Sequence, residues 1–141
     1  MSDVAGPPRQ LPNLNPMNAY FWQSGRTGRL EILRCADCRT WIHPFAGVCP
    51  KCRSEALKPE PVSGRGEVVS YTINHHPWLA NVPVPYAVAM VTLEEQDNIR
   101  LVTNVMNCPL EDVRIGLPVE VLFEQHEDVW VPLFQPRGAA V

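Results

Sequence analysis

The chain has 141 residues and a net charge of −3, with 45% hydrophobic and 19% charged residues. This length suits one domain or a small domain with an appendage, and the composition excludes a globally disordered chain. Apolar runs fall far short of the ~20 residues of a membrane span, and the N-terminus lacks the pattern of a secretory signal. Five cysteines, an odd number, favour a reducing compartment over a disulfide scaffold, so we expect a cytoplasmic protein without membrane attachment.

The first 17 residues are rich in proline and are expected to form a flexible arm, because proline blocks helices and lacks an amide donor. Asn18 is a candidate N-cap for a short helix from Ala19 to about Ser24. Within residues 18–34 this helix is followed by a lead-in strand. Three consecutive aromatic residues on so short a helix cannot all face one small core. We therefore predict a partner interface formed by Tyr20, Phe21 and Trp22.

Residues 35–57 carry two Cys-x-x-Cys pairs and are predicted to form a zinc ribbon. Four thiolates from two such knuckles make a tetrahedral sulfur site, which suits zinc, although an iron centre of the rubredoxin type uses similar pairs. Four sulfur ligands leave no open coordination position, which favours a structural site over a catalytic one. The predicted ligands of one structural zinc ion are Cys35, Cys38, Cys49 and Cys52.

Two other residues could take part in chemistry and are given simpler roles. His43 could replace a cysteine as a metal ligand, but four cysteines already fill the coordination shell. Cys108 is unpaired by count and is expected to fill buried space, because no arrangement of a base around it can be argued from the sequence. No catalytic residue is therefore assigned.

Residues 58–66 contain two prolines and two glycines and are predicted to be a linker. Beyond them, hydrophobic residues alternate with a period of two, which predicts five strands near 68–73, 87–93, 99–105, 119–123 and 129–133. Pro109 to Gly116 has the pattern of one short helix between the third and fourth strands. This order predicts a mainly β protein in which residues 67–135 form a five-stranded OB-fold barrel, followed by a tail at 136–141.

A long loop, residues 75–86, joins the first two strands of the predicted barrel. In OB-folds this loop and the loop between the last two strands frame the usual ligand face. Trp78 either plugs one end of the barrel or contacts a partner or ligand. If Val129 and Leu133 face the core, Trp130 and Phe134 point outward and extend such a surface. The predicted ligand or partner residues of the loop are His75, His76, Trp78 and Tyr86.

The combination of a short helix, a four-cysteine ribbon and an OB barrel resembles the DUF35 family, and the resemblance covers residues 18 to 135. It rests on Gly28-x-Leu30, the set Cys35 to Cys52, Ser63-Gly64-x-Gly66-x-Val68, Ser70-Tyr71-Thr72, Pro85-Tyr86 and Glu111-Asp112-Val113-x-Ile115-Gly116-x-Pro118-Val119. The chain departs from the family pattern in turns. Arg39 stands where glycine usually follows the first knuckle, and His43-Pro44-Phe45 and Glu95-Gln96-Asp97 replace other usual turns.

This resemblance implies a non-catalytic accessory subunit. Such a subunit forms a hetero-oligomer with a thiolase-like enzyme, a thiolase or a retro-aldolase, that acts on acyl-CoA thioesters in steroid side-chain or fatty-acid breakdown. It can also contact acyl-CoA. Basic residues near the knuckles either hold a CoA phosphate or form a solvated face, and they are Arg26, Arg29, Arg34, Arg39, Lys51 and Arg53.

The alternative function is a nucleic-acid-binding module, because zinc ribbons and OB-folds both serve that role. Charge argues against it. Residues 26–58 carry seven Lys and Arg against three Asp and Glu, whereas residues 59–141 carry four against eleven. A barrel region with a net charge of −7 lacks the basic groove that nucleic acids require. A stand-alone enzyme would need an acid/base pair or an open metal site, and the sequence indicates neither.

Overall fold

The computed structural model describes residues 10–78 and 82–138. The predicted arm, tail and 75–86 loop therefore lie partly outside the described residues. Helical elements are α1 (Ala19–Trp22) and two 3₁₀ helices, Ser24–Thr27 and Leu110–Asp112. The strands are β1 (Glu31–Cys35), β2 (Trp41–Ile42), β3 (Leu57–Pro61), β4 (Arg65–Asn74), β5 (Tyr86–Leu93), β6 (Arg100–Asn104), β7 (Pro118–His126) and β8 (Val129–Pro136).

The strands form two antiparallel sheets, one of order β2-β1-β3 and one of order β6-β5-β4-β7-β8. The first sheet belongs to the ribbon and the second to the barrel, which confirms the predicted mainly β architecture. Among the helices of residues 10–78 and 82–138, none combines the length and the apolar character needed to cross a bilayer.

Three predicted elements differ in the structure. The predicted 58–66 linker includes all of β3 except its first residue, and β3 pairs with β1 from Glu31 opposite Pro61 to Cys35 opposite Leu57. Prolines are tolerated there because β3 is an edge strand of its sheet. The helix predicted between the third and fourth barrel strands is only the 3₁₀ turn Leu110–Asp112, and the N-terminal helix stops at Trp22.

Part of the predicted flexible arm forms a defined turn. Asn15 Oδ1 accepts hydrogen bonds from the amides of Met17 and Asn18, and Asn18 Oδ1 accepts one from the Asn15 amide. Asn18 therefore bonds back to the turn and does not cap α1 with its side chain. This turn joins the arm to the helix, so residues 13–18 have local order that their proline content did not indicate.

The barrel keeps an open seam between β6 and β8. One parallel bridge joins Val105 to Phe134, and the Met106 amide donates to the Phe134 carbonyl at 2.7 Å. The ladder cannot continue two residues earlier on β8, because Pro132 has no amide hydrogen to donate. The Pro132 carbonyl instead accepts a hydrogen bond from Thr103 Oγ1 at 3.2 Å. Pro132 thus interrupts the pairing of β6 with β8 at this position.

The ribbon and the barrel share a strand. On β1, Ile32 packs into the barrel core, whereas Leu33 and Cys35 face a small ribbon core with Ile42 and Cys49. A second connection is made by the side-chain amide of Gln96, which accepts from the Trp41 amide at 3.0 Å and donates to the Trp41 carbonyl at 2.9 Å. Gln96 therefore pairs with β2 as a neighbouring strand would.

The predicted outward position of Phe134 is wrong, because its side chain is fully buried. Residues on both faces of β8 are covered, since the 3₁₀ helix Ser24–Thr27 packs on the β7–β8 hairpin. A Cβ atom added to Gly25 would lie 2.5 Å from Phe123 Cδ1 and 2.7 Å from Trp130 Cβ, so only glycine fits this close approach. Trp130 is half-buried.

Candidate metal centre and the surfaces around it

Two knuckles bring the four cysteine sulfurs together. The amide of Cys38 donates to Cys35 Sγ at 3.5 Å. In the second knuckle the amides of Lys51 and Cys52 donate to Cys49 Sγ at 3.4 and 3.5 Å. Amides that point at sulfur stabilise the thiolate form, which is the form that binds metal.

The sulfur positions fit a tetrahedral metal site. All four Sγ atoms lie within 4.8 Å of one another, and the closest pairs are Cys35–Cys52 at 3.6 Å and Cys38–Cys49 at 3.5 Å. With Zn–S bonds of about 2.3 Å, the edge of a regular tetrahedron would be about 3.8 Å. Cys35 and Cys49 are buried, so the cluster is anchored in the small ribbon core.

Local hydrogen bonds favour the thiolate form of Cys35 and Cys38, whereas burial and the other three sulfurs raise the pKa of Cys52 to about 12. The Thr40 side chain, whose Oγ1 lies 3.1 Å from Cys38 Sγ, lowers the pKa of Cys38 to about 6. The pKa of Cys35 is also lowered, chiefly by the Cys38 amide. Sequence reasoning missed Thr40, although its position two residues after a predicted ligand placed it within reach of the sulfur. His43 is not part of the thiol cluster in the described residues.

Each knuckle ends in a residue with a left-handed backbone, Arg39 at φ 66° and Arg53 at φ 67°. This conformation explains why glycine is usual after the first knuckle. Arg39 also forms a two-point ion pair with Glu60 on β3, with both N–O distances at 3.1 Å. The hydrogen bond from Arg39 is the main reason why the pKa of Glu60 is lowered.

Several of the predicted phosphate-binding residues have partners inside the protein. Besides Arg39, the guanidinium of Arg34 lies 4.2 Å from the Trp41 ring centroid, and that of Arg26 lies 5.4 Å from the Trp130 ring centroid. The side chains of Arg29, Lys51 and Arg53 are exposed. The structure therefore narrows the candidates for anion binding to these exposed residues.

The aromatic helix is less exposed than predicted. Phe21 is only 7% exposed, so it offers little surface to a partner in this conformation. It packs edge-on against Trp22 with ring centroids 4.9 Å apart and lies 4.8 Å from the His43 ring. Tyr20 and Trp22 are half-buried, and burial raises the pKa of Tyr20. These side chains are partly or fully buried because α1 covers the barrel seam.

A cavity of about 440 Å³ lies in that seam. Its walls come from β6, β8, α1 and the ribbon turn 43–45. Two apolar side chains at its edge are conspicuously exposed, Phe45 at 41% and Val102 at 71%. Exposed apolar groups around a concavity are typical of contact surfaces.

The loop between β4 and β5 presents Trp78, which is 71% exposed and does not plug the barrel. Its Nε1 donates to Asn74 Oδ1 at 2.9 Å, and its ring lies 4.3 Å from that of His76. His75 is also exposed. The structure thus groups three of the four predicted loop residues at an exposed tip.

Tyr86, the fourth predicted loop residue, lines an apolar cleft of about 720 Å³ that adjoins the seam cavity at Trp22 and Val131. Cys108 lies in the same cleft, together with Trp22 and Leu110. Burial raises the pKa of the Cys108 thiol, which makes it a poor nucleophile at neutral pH. Cys108 is only half-buried and packs at the edge of the main core, so it does not fill buried space as predicted.

The fold and the four-thiol site define an OB-fold protein with a rubredoxin-like zinc ribbon. Family models for the ChsH2 rubredoxin-like zinc ribbon domain and the ChsH2 C-terminal OB-fold domain match residues 22–58 and 59–124. The chain belongs to the DUF35 family. The match to a zinc ribbon domain, together with the sulfur geometry, identifies one structural zinc site.

Similar proteins are named as subunits or scaffolds. A solved chain of "Ltp2-ChsH2(DUF35) aldolase" is 35% identical with a TM-score of 0.80, over 89% of this chain and 98% of that one. A DUF35 domain-containing scaffold protein of Methanocaldococcus jannaschii is 36% identical over 66% of each chain. A benzoylsuccinyl-CoA thiolase subunit of Thauera aromatica is 27% identical over 72% of this chain and 74% of its own length.

A longer relative is the probable enoyl-CoA hydratase alpha subunit of Thermomonospora curvata, which is 36% identical over 91% of this chain. The chain spans only 40% of the length of that relative.

Proposed function

We propose that this chain is a non-catalytic accessory subunit that binds and supports a thiolase-like enzyme acting on acyl-CoA thioesters in the cytoplasm. The observation that carries the proposal is the similarity over 98% of a DUF35 chain from an aldolase complex. The scaffold and thiolase-subunit names of two relatives support the same role. The four-thiol site is consistent with it, because a filled coordination shell does not activate water.

We further propose that the partner enzyme contacts two exposed apolar surfaces. The first surface is the edge of α1 and the seam, with Tyr20, Trp22, Phe45 and Val102. The second is the loop tip with His76 and Trp78. Tryptophan and tyrosine are common anchors at protein interfaces because they bury a large area at a small cost in side-chain entropy.

Co-purification tests this role. The chain is co-expressed with thiolase-like enzymes encoded by neighbouring genes, and a stable complex is expected. Trp78→Ala and the double variant Phe45→Ala/Val102→Ala report on the two surfaces. Loss of an anchor residue should cost about 2 kcal/mol or more, which is about 30-fold in Kd. Ile115→Ala removes an apolar side chain that is 68% exposed elsewhere and should leave Kd unchanged.

The proposed site residues and the proposed function fail in different ways. A complex that forms but is insensitive to both surface variants refutes the assigned surfaces and leaves the subunit role standing. Absence of a complex, together with micromolar binding to single-stranded DNA at physiological salt, refutes the subunit role and favours the nucleic-acid-binding alternative.

A further inference from the structure

His43 occupies the junction of three parts of the protein. It belongs to the ribbon turn, its ring packs on Phe21 of α1 at 4.8 Å, and it lines the seam cavity together with β6 and β8. Its Nδ1 atom is buried and has no hydrogen-bond partner among the described residues. A buried ring nitrogen of this kind is tolerated when the imidazole is neutral and becomes costly when it carries a proton.

The surroundings of the ring offer no compensation for a positive charge. The other titratable or charged side chains that line the cavity are Tyr20 on α1 and Arg100 on β6, and the residues contributed by β8 are Val131, Pro132 and Leu133. None of these side chains carries a carboxylate that could pair with an imidazolium. Burial lowers the pKa of His43, which agrees with this arrangement.

We propose that His43 is a pH-sensitive switch whose neutral imidazole holds α1 over the barrel seam and whose protonation releases α1. Release would expose Phe21 and widen the mouth of the seam cavity, while the five barrel strands keep their pairing. This inference concerns the chain alone and does not rest on the proposed partner enzyme.

The direction of the effect follows from linkage. The released state binds the proton at the ordinary His pKa of about 6.5, whereas the covered state binds it only at a lower pH. Falling pH therefore favours release below about pH 6.5, by about tenfold per pH unit until the lowered pKa is reached. Above pH 6.5 the covered state keeps its full stability.

Amide hydrogen exchange followed by NMR on the zinc-loaded full chain tests the switch between pH 7.5 and 5.0. The reporters are the α1 amides of Phe21, Trp22 and Gln23, which donate to carbonyls of Asn18 and Ala19. Their protection, corrected for intrinsic exchange and divided by that of β5 amides, should fall about tenfold per pH unit below pH 6.5. Zinc content is measured at each pH.

Matched variants separate this switch from acid release of zinc. His43→Phe keeps a ring against Phe21 and cannot be protonated, so the protection ratio should stay constant with pH. His43→Gln gives a second test if the phenylalanine does not pack. His126→Gln removes a different imidazole and should behave like the wild type. A constant wild-type ratio, or an equal fall in both His43 variants, overturns the proposal.

Discussion

The ribbon and the barrel are held together by different forces. Within residues 10–78 and 82–138, the ribbon core consists of four buried residues, and two of them are the zinc ligands Cys35 and Cys49. In the same part of the chain, the main core contains 17 buried residues, among them Phe134, Leu93 and Val119 from the barrel strands. A core of four residues cannot offset the conformational entropy of more than twenty ordered residues, so the ribbon requires its metal. The barrel has a larger core and does not require the metal.

The two regions are nevertheless coupled at their boundary. Leu30, Ile32 and Trp41 come from the N-terminal half of the chain yet pack in the main core. The ribbon turn also contributes His43 to the seam. We therefore expect that unfolding of the ribbon loosens the packing at this boundary, while the barrel strands stay folded.

Zinc removal should produce the largest effect. Chelation, or Cys35→Ser, removes a contribution of roughly 10–16 kcal/mol that is typical of structural zinc sites. NMR should show loss of the β1–β3 resonances while the β4, β5 and β7 amides keep their protection. Cys108→Ser is the control, because Cys108 lies outside the thiol cluster and should leave one zinc per chain. Simultaneous loss of the barrel amides would contradict the division into two regions.

Truncation of core side chains should give the next largest effect and should affect the two regions differently. Phe134 is fully buried in the barrel, so Phe134→Ala should lower the free energy of unfolding by about 3–5 kcal/mol and leave zinc affinity unchanged. Leu33 packs beside the zinc ligands, so Leu33→Ala should weaken zinc binding more than it shifts the urea midpoint of the barrel. The measurements are urea unfolding and a competition assay with a zinc chelator. If both variants change the urea midpoint and the zinc affinity to the same extent, the ribbon and the barrel do not have separate cores.

Close packing of the N-terminal segment on the barrel should give a smaller effect. Gly25→Ala places a methyl group against Phe123 and Trp130 and should cost about 1–3 kcal/mol in urea unfolding. The matched control is Gly47→Ala in the ribbon, where an added Cβ meets no heavy atom within 4 Å. Equal urea midpoints for the two variants would show that the 3₁₀ helix Ser24–Thr27 is not closely packed on the β7–β8 hairpin.

Local patterns in the sequence were enough for the barrel strands and the zinc ligands. Alternation located β4 to β8, and the cysteine spacing located all four thiols. These features depend on residues that are close in sequence or on a period of two, so they can be read without knowledge of the fold.

Features that depend on distant partners were missed. The strand β3 was hidden by its prolines, which are acceptable only because the strand lies at an edge. Phe134 was assigned to the surface, since alternation does not show that a second layer covers β8. Gln96 and Trp41 are 55 residues apart in the sequence, so no local sequence pattern indicates that they pair. The seam at Pro132 also becomes visible only when β6 and β8 are placed together.

The exposed ion pairs should give the smallest effect and still distinguish the regions. Arg65 Nη2 lies 3.0 Å from Glu94 Oε2 in the barrel, and its hydrogen bonds are the main cause of the lowered pKa of Glu94. A lowered carboxyl pKa stabilises the fold above its ordinary value of 4.5 and loses this contribution as pH falls through the lowered value. Because both groups are exposed and screened by solvent, the contribution is small.

Glu94→Gln should therefore lower the Tm of the barrel slightly at pH 7, and the difference from the wild type should shrink as the pH falls through the lowered pKa of Glu94. Differential scanning calorimetry at low salt measures the difference. Glu60→Gln breaks the corresponding pair between Arg39, which follows the first knuckle, and Glu60 on β3, so its effect should appear in zinc affinity and not in the barrel Tm. If Glu60→Gln shifts the barrel Tm as much as Glu94→Gln does, surface charges act across the boundary. The ribbon would then contribute to the stability of the barrel, and the two regions would not be independently stable.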